Sequence, residues 1–250
     1  MLDLSYQLYS ARKAPALADV LRYLSQLGYR QVEGYGGLFT NLDAKGLRAD
    51  LDRLHLAMPT AHVGFPQIED VAATAKTANT IGIKTIFVPA LQQRVGDDAH
   101  WKDLGARLAK LGEAYAPHGI AIGWHNHDFE FKPTTTGAMP LDLILGASPK
   151  IQWEADVAWI VKGGQDPVKW LMKYVGQLTA VHVKDIAKAG EAKDEDGWAD
   201  VGHGTIDWRS LLATITGKTK AKYFVMEHDN PSDPHRFAER SLKSMRAMGY

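Results

Sequence analysis

Along the chain, short apolar runs with a two-residue alternation trade places with longer stretches whose apolar residues recur every three or four positions. The first signature is a strand with one face turned to an apolar layer, the second a helix packed along one stripe. Strands are predicted over residues 4–9, 31–35, 58–65, 85–89, 120–124, 151–156, 178–183 and 223–227. Leu17, Val20, Leu21, Leu24 and Leu27 lie at helical spacing, with Pro15 to start that helix and Gly28 to stop it. Further helices are predicted over 42–56 with Asn41 or Asp43 as cap, over 68–81 closed by Gly82, and over 101–116. Asp166 with Pro167 opens a helix through Val175, Asp207 one from Trp208, and Asp233 with Pro234 one reaching about Met248. Strand–helix alternation from end to end predicts a parallel sheet, and eight units predict closure into an α/β fold of the (β/α)8 TIM barrel type, a single domain over residues 1–250. An open doubly wound sheet is the alternative, but no GxGxxG follows the first strand. One stretch breaks the rhythm: residues 186–202 are charged and unpatterned, and read as a surface loop or a mobile lid over the strand ends.

Composition narrows the partners. The 250 residues are 45% apolar and 23% charged, enough for one large core. Formal net charge is zero, so no basic surplus exists to hold nucleic acid or an anionic membrane. There is no cysteine, which removes disulfides and thiolate ligands from consideration. No run is long and apolar enough to span a bilayer, and the N-terminus has no basic segment followed by an apolar one. The expectation is a cytoplasmic protein, or a periplasmic one if a signal peptide has been trimmed. Homodimerisation is left open.

The candidate chemistry sits where strands end. In the run IAIGWHNHDFEF over residues 120–131, His125 shares a strand face with small Gly123 and Ala121, while Ile120, Ile122 and Trp124 share the other. His125 is therefore expected to point into the barrel mouth. The second strand carries Glu33, the third His62, the sixth ends in Asp156, the seventh in His182 and the eighth in Glu227. Barrel active sites lie on this face and draw on several strands. Taken singly, each residue could be a hydrogen-bonded core group. Two imidazoles and two carboxylates meeting at one point would instead hold one divalent ion, and an oxygen/nitrogen set suits manganese, cobalt, zinc, iron or magnesium.

With these residues in view, the chain resembles the xylose isomerase-like TIM barrels of the sugar phosphate isomerase/epimerase superfamily. QLYSAR at the first strand, VEGYGG at the second, HNHDFEF at the fifth, VHVKD at the seventh, VGHGTIDW after it and VMEHD at the eighth carry the resemblance, which covers essentially the whole chain. It implies metal ligands at His125, Asp156, His182 and Glu227. Tagatose 3-epimerase, inosose dehydratase, 3-dehydroshikimate dehydratase and the metal-dependent abasic-site endonuclease share the superfamily. Its epimerases carry Glu where this chain has His125, and a substrate-binding His where it has Trp159. The first departure disfavours a symmetrical two-glutamate epimerisation, and the second suits an indole packed on a sugar or cyclitol face. The endonuclease reading lacks further His and Asp ligands, and neutral net charge speaks against DNA.

The remaining candidates divide by role. His127, Lys184 and Glu227 are the expected proton-transfer or charge-stabilising groups, set against a solvated His and a surface Lys. Glu33, His62 and Trp159 are the expected substrate-binding residues. Gly202–Gly204 either shapes the loop before Asp207 or holds a phosphate. Trp124, Trp153 and Trp208 read as core, and Trp198 as a loop residue within reach of substrate. The function expected is a metal-dependent enzyme removing a proton next to a carbonyl of a small sugar, keto-sugar or cyclitol. Isomerisation or epimerisation, keto-glycoside lyase or hydratase action, and inosose-type dehydration stay open. A sugar-binding barrel without catalysis is the non-enzymatic alternative.

Overall fold

In the computed structural model, which describes residues 2–40 and 42–250, strands and helices alternate as β1 Leu4–Gln7, α1 Leu17–Leu27, β2 Gln31–Tyr35, α2 Ala44–Arg53, β3 Ala57–His62, α3 Phe65–Ile68, α4 Val71–Ile81, β4 Thr85–Val88, α5 Asp98–Tyr115, β5 Ala121–His125, α6 Pro140–Leu145, β6 Gln152–Asp156, α7 Val157–Lys162, α8 Pro167–Lys173, β7 Leu178–Val183, β8 Asp185–Ile186, β9 Trp198–Ala199, α9 Trp208–Lys218, β10 Tyr223–Met226 and α10 Pro234–Ala247. Eight strands close into a barrel in the order β1-β10-β7-β6-β5-β4-β3-β2. Every adjacent pair is parallel.

Local chemistry sets most boundaries. Asp97, Asp166, Asp207 and Asp233 each accept an N–H from the first turn of the following helix. Asp43 caps α2 by accepting from the Gly46 N–H at 3.0 Å, and Asn41, the other cap considered, lies outside the described residues. Several predicted elements are shorter than their patterns, among them the strand predicted over 58–65, which ends at His62, and the helix predicted over 42–56, which runs Ala44–Arg53. The first strand yields to a 3-10 turn at Leu8–Ala11, where the Gln7 side chain accepts from the Tyr9 N–H. The helix predicted over 68–81 begins again at Val71, because Asp70 caps it through the Ala73 N–H.

Alternation along the strands separates two interiors. Leu4 and Tyr6, Ile86 and Val88, Ile122 and Trp124, Val181 and Val183, and Phe224 and Met226 belong to one apolar core beneath the helices. Each such side chain contributes about 1.5–3 kcal/mol when fully buried. The intervening positions face the other way, and many are polar yet buried: Ser5, Gln7, Glu33, Thr60, His62, Thr85, His125, Glu154, Asp156 and His182. Barrel interiors are more commonly filled by Val, Ile and Leu. Burying polar groups is costly unless they are hydrogen-bonded; the carboxylates and imidazoles here bond one another, whereas Ser5 Oγ and Thr60 Oγ1 have no partner among the described residues.

Residues 186–202 are not an unpatterned loop. Asp185–Ile186 pairs antiparallel with Trp198–Ala199, and a 3-10 turn covers Lys193–Glu195. Arg236 of α10 holds this hairpin through Glu195 at 2.9 Å and Asp200 at 3.1 Å, and Arg240 reaches Asp200 at 2.9 Å. Its base is tied by the Asp185 carboxylate, which accepts the N–H groups of Ile186, Gly202, Gly204 and Ile206 at 2.9, 2.9, 3.2 and 3.1 Å. Gly202 turns with φ +80°, and a Cβ on Gly204 would run into that carboxylate. The N–H groups considered for phosphate are thus already taken by an aspartate, and the glycines shape the loop.

Candidate metal centre

The structure brings the expected residues together in two storeys. In the upper one, donor atoms of His125, Asp156, His182 and Glu227, all buried, lie within 4.8 Å of one another. They come from β5, β6, β7 and the residue following β10. Asp156 is held from several sides. Its Oδ1 accepts the Trp159 N–H at 2.9 Å as the cap of α7. The Asn126 amide donates to the Asp156 carbonyl and accepts the Asp156 N–H, both at 3.1 Å, and takes the Trp153 indole N–H at 3.0 Å. Among the described residues, Asp156 Oδ2 is left buried without a hydrogen-bond partner. Glu227 Oε2 lies 2.9 Å from His182 Nδ1 and accepts from Lys184 Nζ at 3.3 Å.

The lower storey holds Glu33, His62 and Glu154. His182 Nε2 is 2.8 Å from Glu33 Oε1 and 3.2 Å from Glu154 Oε2. His125 Nδ1 is 3.1 Å from the same Glu154 oxygen, and His62 Nε2 bonds it as well. Gln7 donates to Glu33 at 2.7 Å. Glu154 was not among the residues singled out by the sequence. Its one signal was a place on the same strand face as Asp156, two residues away.

Charge follows depth. Burial pushes Glu33 up to about 6, with Glu154 adding to the rise against nearby imidazoles. Burial also acts to raise Glu154, but His182 and His62 outweigh it and hold that carboxyl well below the usual range. His182 is held well above an ordinary imidazole by Glu154 and Glu227 despite burial. His125 drops to about 3 through burial and the neighbouring His182. Asp156 rises to about 7, mainly from burial.

Lys184 is no surface lysine: it is wholly buried. Its ammonium stands 2.6 Å from Asp229, 3.3 Å from Glu227 and 3.6 Å from Asp156. Burial opposes the charge, yet these carboxylates hold the pKa above the ordinary lysine value. The Trp198 ring lies 4.2 Å from Lys184 Nζ and the Trp159 ring 5.0 Å, so the hairpin indole packs on the lysine. His127 sits beside His125 and stacks on Phe129 at 5.6 Å. Its backbone N–H donates to Glu130, which also takes the Trp124 indole N–H, both at 2.8 Å. The HNHDFEF run is thereby explained as one folded unit. His127 Nδ1 is buried without a partner.

Both storeys open to a cavity of about 470 Å3 lined by Tyr9, Tyr35, Arg94, His127, Trp159 and Glu227, with His62 and His125 also reaching it. The hollow at the opposite mouth, about 930 Å3, is lined by Lys84, Lys150, Lys218, Lys220 and Lys222, with no Asp, Glu or His. The donor set and the unpartnered Asp156 oxygen fit a divalent ion with nitrogen and oxygen ligands.

Fold and site together define a (β/α)8 barrel whose mouth gathers imidazoles and carboxylates able to hold a cation. The chain belongs to the xylose isomerase-like TIM barrel family, whose model matches residues 21–248. A sugar phosphate isomerase/epimerase from Parabacteroides distasonis superposes with a TM-score of 0.81 at 21% identity, covering 100% of this chain and 99% of that one. The IOLI protein with a bound zinc atom superposes with a TM-score of 0.79 at 15% identity, covering 99% and 98%. An inosose dehydratase of Clostridium botulinum is 30% identical over 92 residues, which are 36% of this chain and 30% of that relative. The matched stretch thus spans under a third of that curated relative's length. Among the described residues, no helix is long and apolar enough to cross a membrane.

Proposed function

We propose that this protein is a divalent-metal-dependent enzyme that removes a proton next to a carbonyl in a small sugar, keto-sugar or cyclitol. The observation that carries the reading is the upper storey: four buried donors within 4.8 Å of one another at a barrel mouth, one of them with an unpartnered oxygen. His125, Asp156, His182 and Glu227 would hold the ion. When bound, a divalent ion polarises a carbonyl and acidifies the adjacent C–H.

The chain's own residues divide the remaining work. His127 Nδ1 is buried and unpartnered in a residue that lines the cavity, so His127 is the proposed base. Lys184, locked among Asp229, Glu227 and Asp156, keeps its charge and acts as fixed positive charge rather than as a base. Trp159, Tyr9 and Tyr35 offer aromatic walls to a ring face. Glu33 and His62 serve the site from below, although His62 also reaches the cavity. His125 in place of a carboxylate, with the likeness to an inosose dehydratase, favours loss of a β-substituent over epimerisation.

The test is incubation with inososes, 3-keto-glucosides and ketohexoses in deuterated water, followed by proton NMR. A true substrate is expected to lose its α-proton signal with Mn2+ or Co2+ present and to keep it after chelation. His127→Ala is expected to slow exchange by about 100-fold or more. Product formed with its α-C–H retained would exclude proton abstraction, and activity indifferent to chelators in metal-free protein would exclude the ion.

A further inference from the structure

Glu154 lies beneath the proposed metal ligands and touches two of them. Its Oε2 is 3.1 Å from His125 Nδ1 and 3.2 Å from His182 Nε2, and a third imidazole, His62, bonds the same oxygen. Glu33 Oε1 adds a second acceptor at 2.8 Å from His182 Nε2. All five residues are buried, with Glu33, Glu154 and His182 wholly inaccessible. The strands that carry the two carboxylates share an irregularity. Strand register shifts between Gln31 and Glu33 in the β2–β3 pair and between Trp153 and Glu154 in the β6–β7 pair. A shift of this kind re-aims the side chains next to it.

The lower cluster could itself be read as a second cation site, since His62, His125, Glu154 and His182 also offer donors within 4.8 Å. Its geometry points elsewhere. Three ring nitrogens surround one carboxylate oxygen at hydrogen-bond distance, so the centre of the cluster is occupied by that oxygen.

We infer that Glu154, with Glu33, is a positioning group that decides which nitrogen of His125 and of His182 faces the ion; this rests on the metal reading above. An imidazole offers a lone pair from one nitrogen only if the hydrogen sits on the other. Glu154 accepts that hydrogen from His125 Nδ1, which leaves Nε2 to donate. Glu33 accepts it from His182 Nε2, with Glu154 Oε2 3.2 Å away, which leaves Nδ1, the nitrogen that already faces Glu227 at 2.9 Å. Carboxylates in this role orient the ring and raise its basicity, and their loss typically costs 10–100-fold in metal affinity. Glutamine keeps the shape of Glu154 and can keep an oxygen on the rings, since all three ring nitrogens meet Oε2 and Oε1 has no partner among the described residues, but it removes the negative charge that holds the hydrogens and raises ring basicity.

The experiment measures Co2+ and Mn2+ affinity by chelator competition in wild type, E154Q and E33Q, with the melting temperature of each recorded with and without ion. Affinity is expected to fall about 10–100-fold in E154Q and less in E33Q. The rise in melting temperature on adding ion is expected to shrink accordingly, whatever the ion-free value, because ion stabilisation follows affinity. In the Co2+-loaded wild type, two paramagnetically shifted imidazole N–H resonances are expected to exchange slowly. At least one should exchange fast or vanish in E154Q. A purely structural role would lower both melting temperatures equally and leave affinity and these resonances alone, which would overturn the inference. Should E154Q fail to fold, wild-type affinity in E33Q would overturn it equally. Wild type that binds neither ion would overturn the metal reading and this inference with it, whereas equal tight binding by wild type and E154Q would overturn only the inference.

Discussion

The two storeys of the barrel mouth are built from the same residue types and do opposite things with them. In the upper one, Asp156 and Glu227 stand beside His125, His182 and Lys184, with Asp156 Oδ2 left over and Glu227 lining the cavity. In the lower one, Glu33 and Glu154 meet imidazoles at hydrogen-bond distance and line no part of that cavity. Among the described residues, both layers leave carboxylate oxygens without a partner, Asp156 Oδ2 above and Glu33 Oε2 and Glu154 Oε1 below, but only the upper layer puts a carboxylate, Glu227, on the cavity wall. His182 belongs to both, through Nδ1 above and Nε2 below. Depth decides the role: a few ångströms further in, a carboxylate faces imidazole rather than cavity.

The sharpest way to break this comparison is to remove the shared residue and one that is not shared. His182→Ala is expected to abolish stoichiometric ion binding, with affinity lost by well over the roughly 100-fold upper range for a supporting residue. His62→Ala, which removes none of the four proposed ligands, should lose no more than about 10-fold. Elemental analysis and chelator competition decide it, and equal losses would mean that the storeys are one unit.

Lys184→Met separates charge from ligation. Removing a cation packed against Asp156 and Glu227 is expected to leave divalent-ion affinity unchanged or tighter. Substrate α-proton exchange should slow by about 100-fold or more, since the fixed positive charge is gone. Weaker ion binding would show that Lys184 shapes the ligands instead.

Glu130 is a buried carboxylate bonded by the His127 and Trp124 N–H groups and by no imidazole ring among the described residues, and so shows burial outweighing such hydrogen bonds. Burial pushes it up to about 8 from an ordinary 4.5. Between those values the folded protein retains a proton that the unfolded chain has released. Stability from this group is therefore expected to fall as pH rises from about 4.5 to 8, by at most about 1.4 kcal/mol per pH unit, and to level off above. Urea midpoints of wild type and Glu130→Gln across that window check it, the variant lacking this component of the slope.

The smallest effect concerns the hairpin over the site. Arg236→Ala removes the guanidinium that bridges Glu195 and nearly inaccessible Asp200, leaving Asp200 with Arg240. The expected cost is about 1–2 kcal/mol, read as faster hydrogen exchange confined to residues 186–202 with ion binding unchanged. Exchange rising across the whole barrel would make Arg236 a determinant of the global fold.

Much of this was legible beforehand, and the exceptions share a cause. Alternation alone placed His125, Asp156, His182 and Glu227 at strand ends, and β2 and β7 match their predicted bounds residue for residue. Glu154 lay in the same pattern as Asp156, two residues away, but nothing local distinguishes a residue one layer deeper. Lys184 could be read as a surface residue because its three carboxylate partners come from other strands and loops. The hairpin over 186–202 has strands of two residues each, too short to show a period.

Helix starts at Asp207 and Asp233, the strand faces, and the succession of eight units rest on interactions within a few residues, so the chain carries them in plain order. Which oxygen meets which nitrogen rests on contacts such as Glu33 with His182, 149 positions apart and 2.8 Å from each other. Such a distance exists only after the sheet has closed and the register shifts at Glu33 and Glu154 have aimed the side chains inward. Periodicity reports the direction of a side chain, while barrel closure and strand stagger report its depth, and at this site depth separates the carboxylate that lines the cavity, Glu227, from those that meet imidazoles beneath it, Glu33 and Glu154.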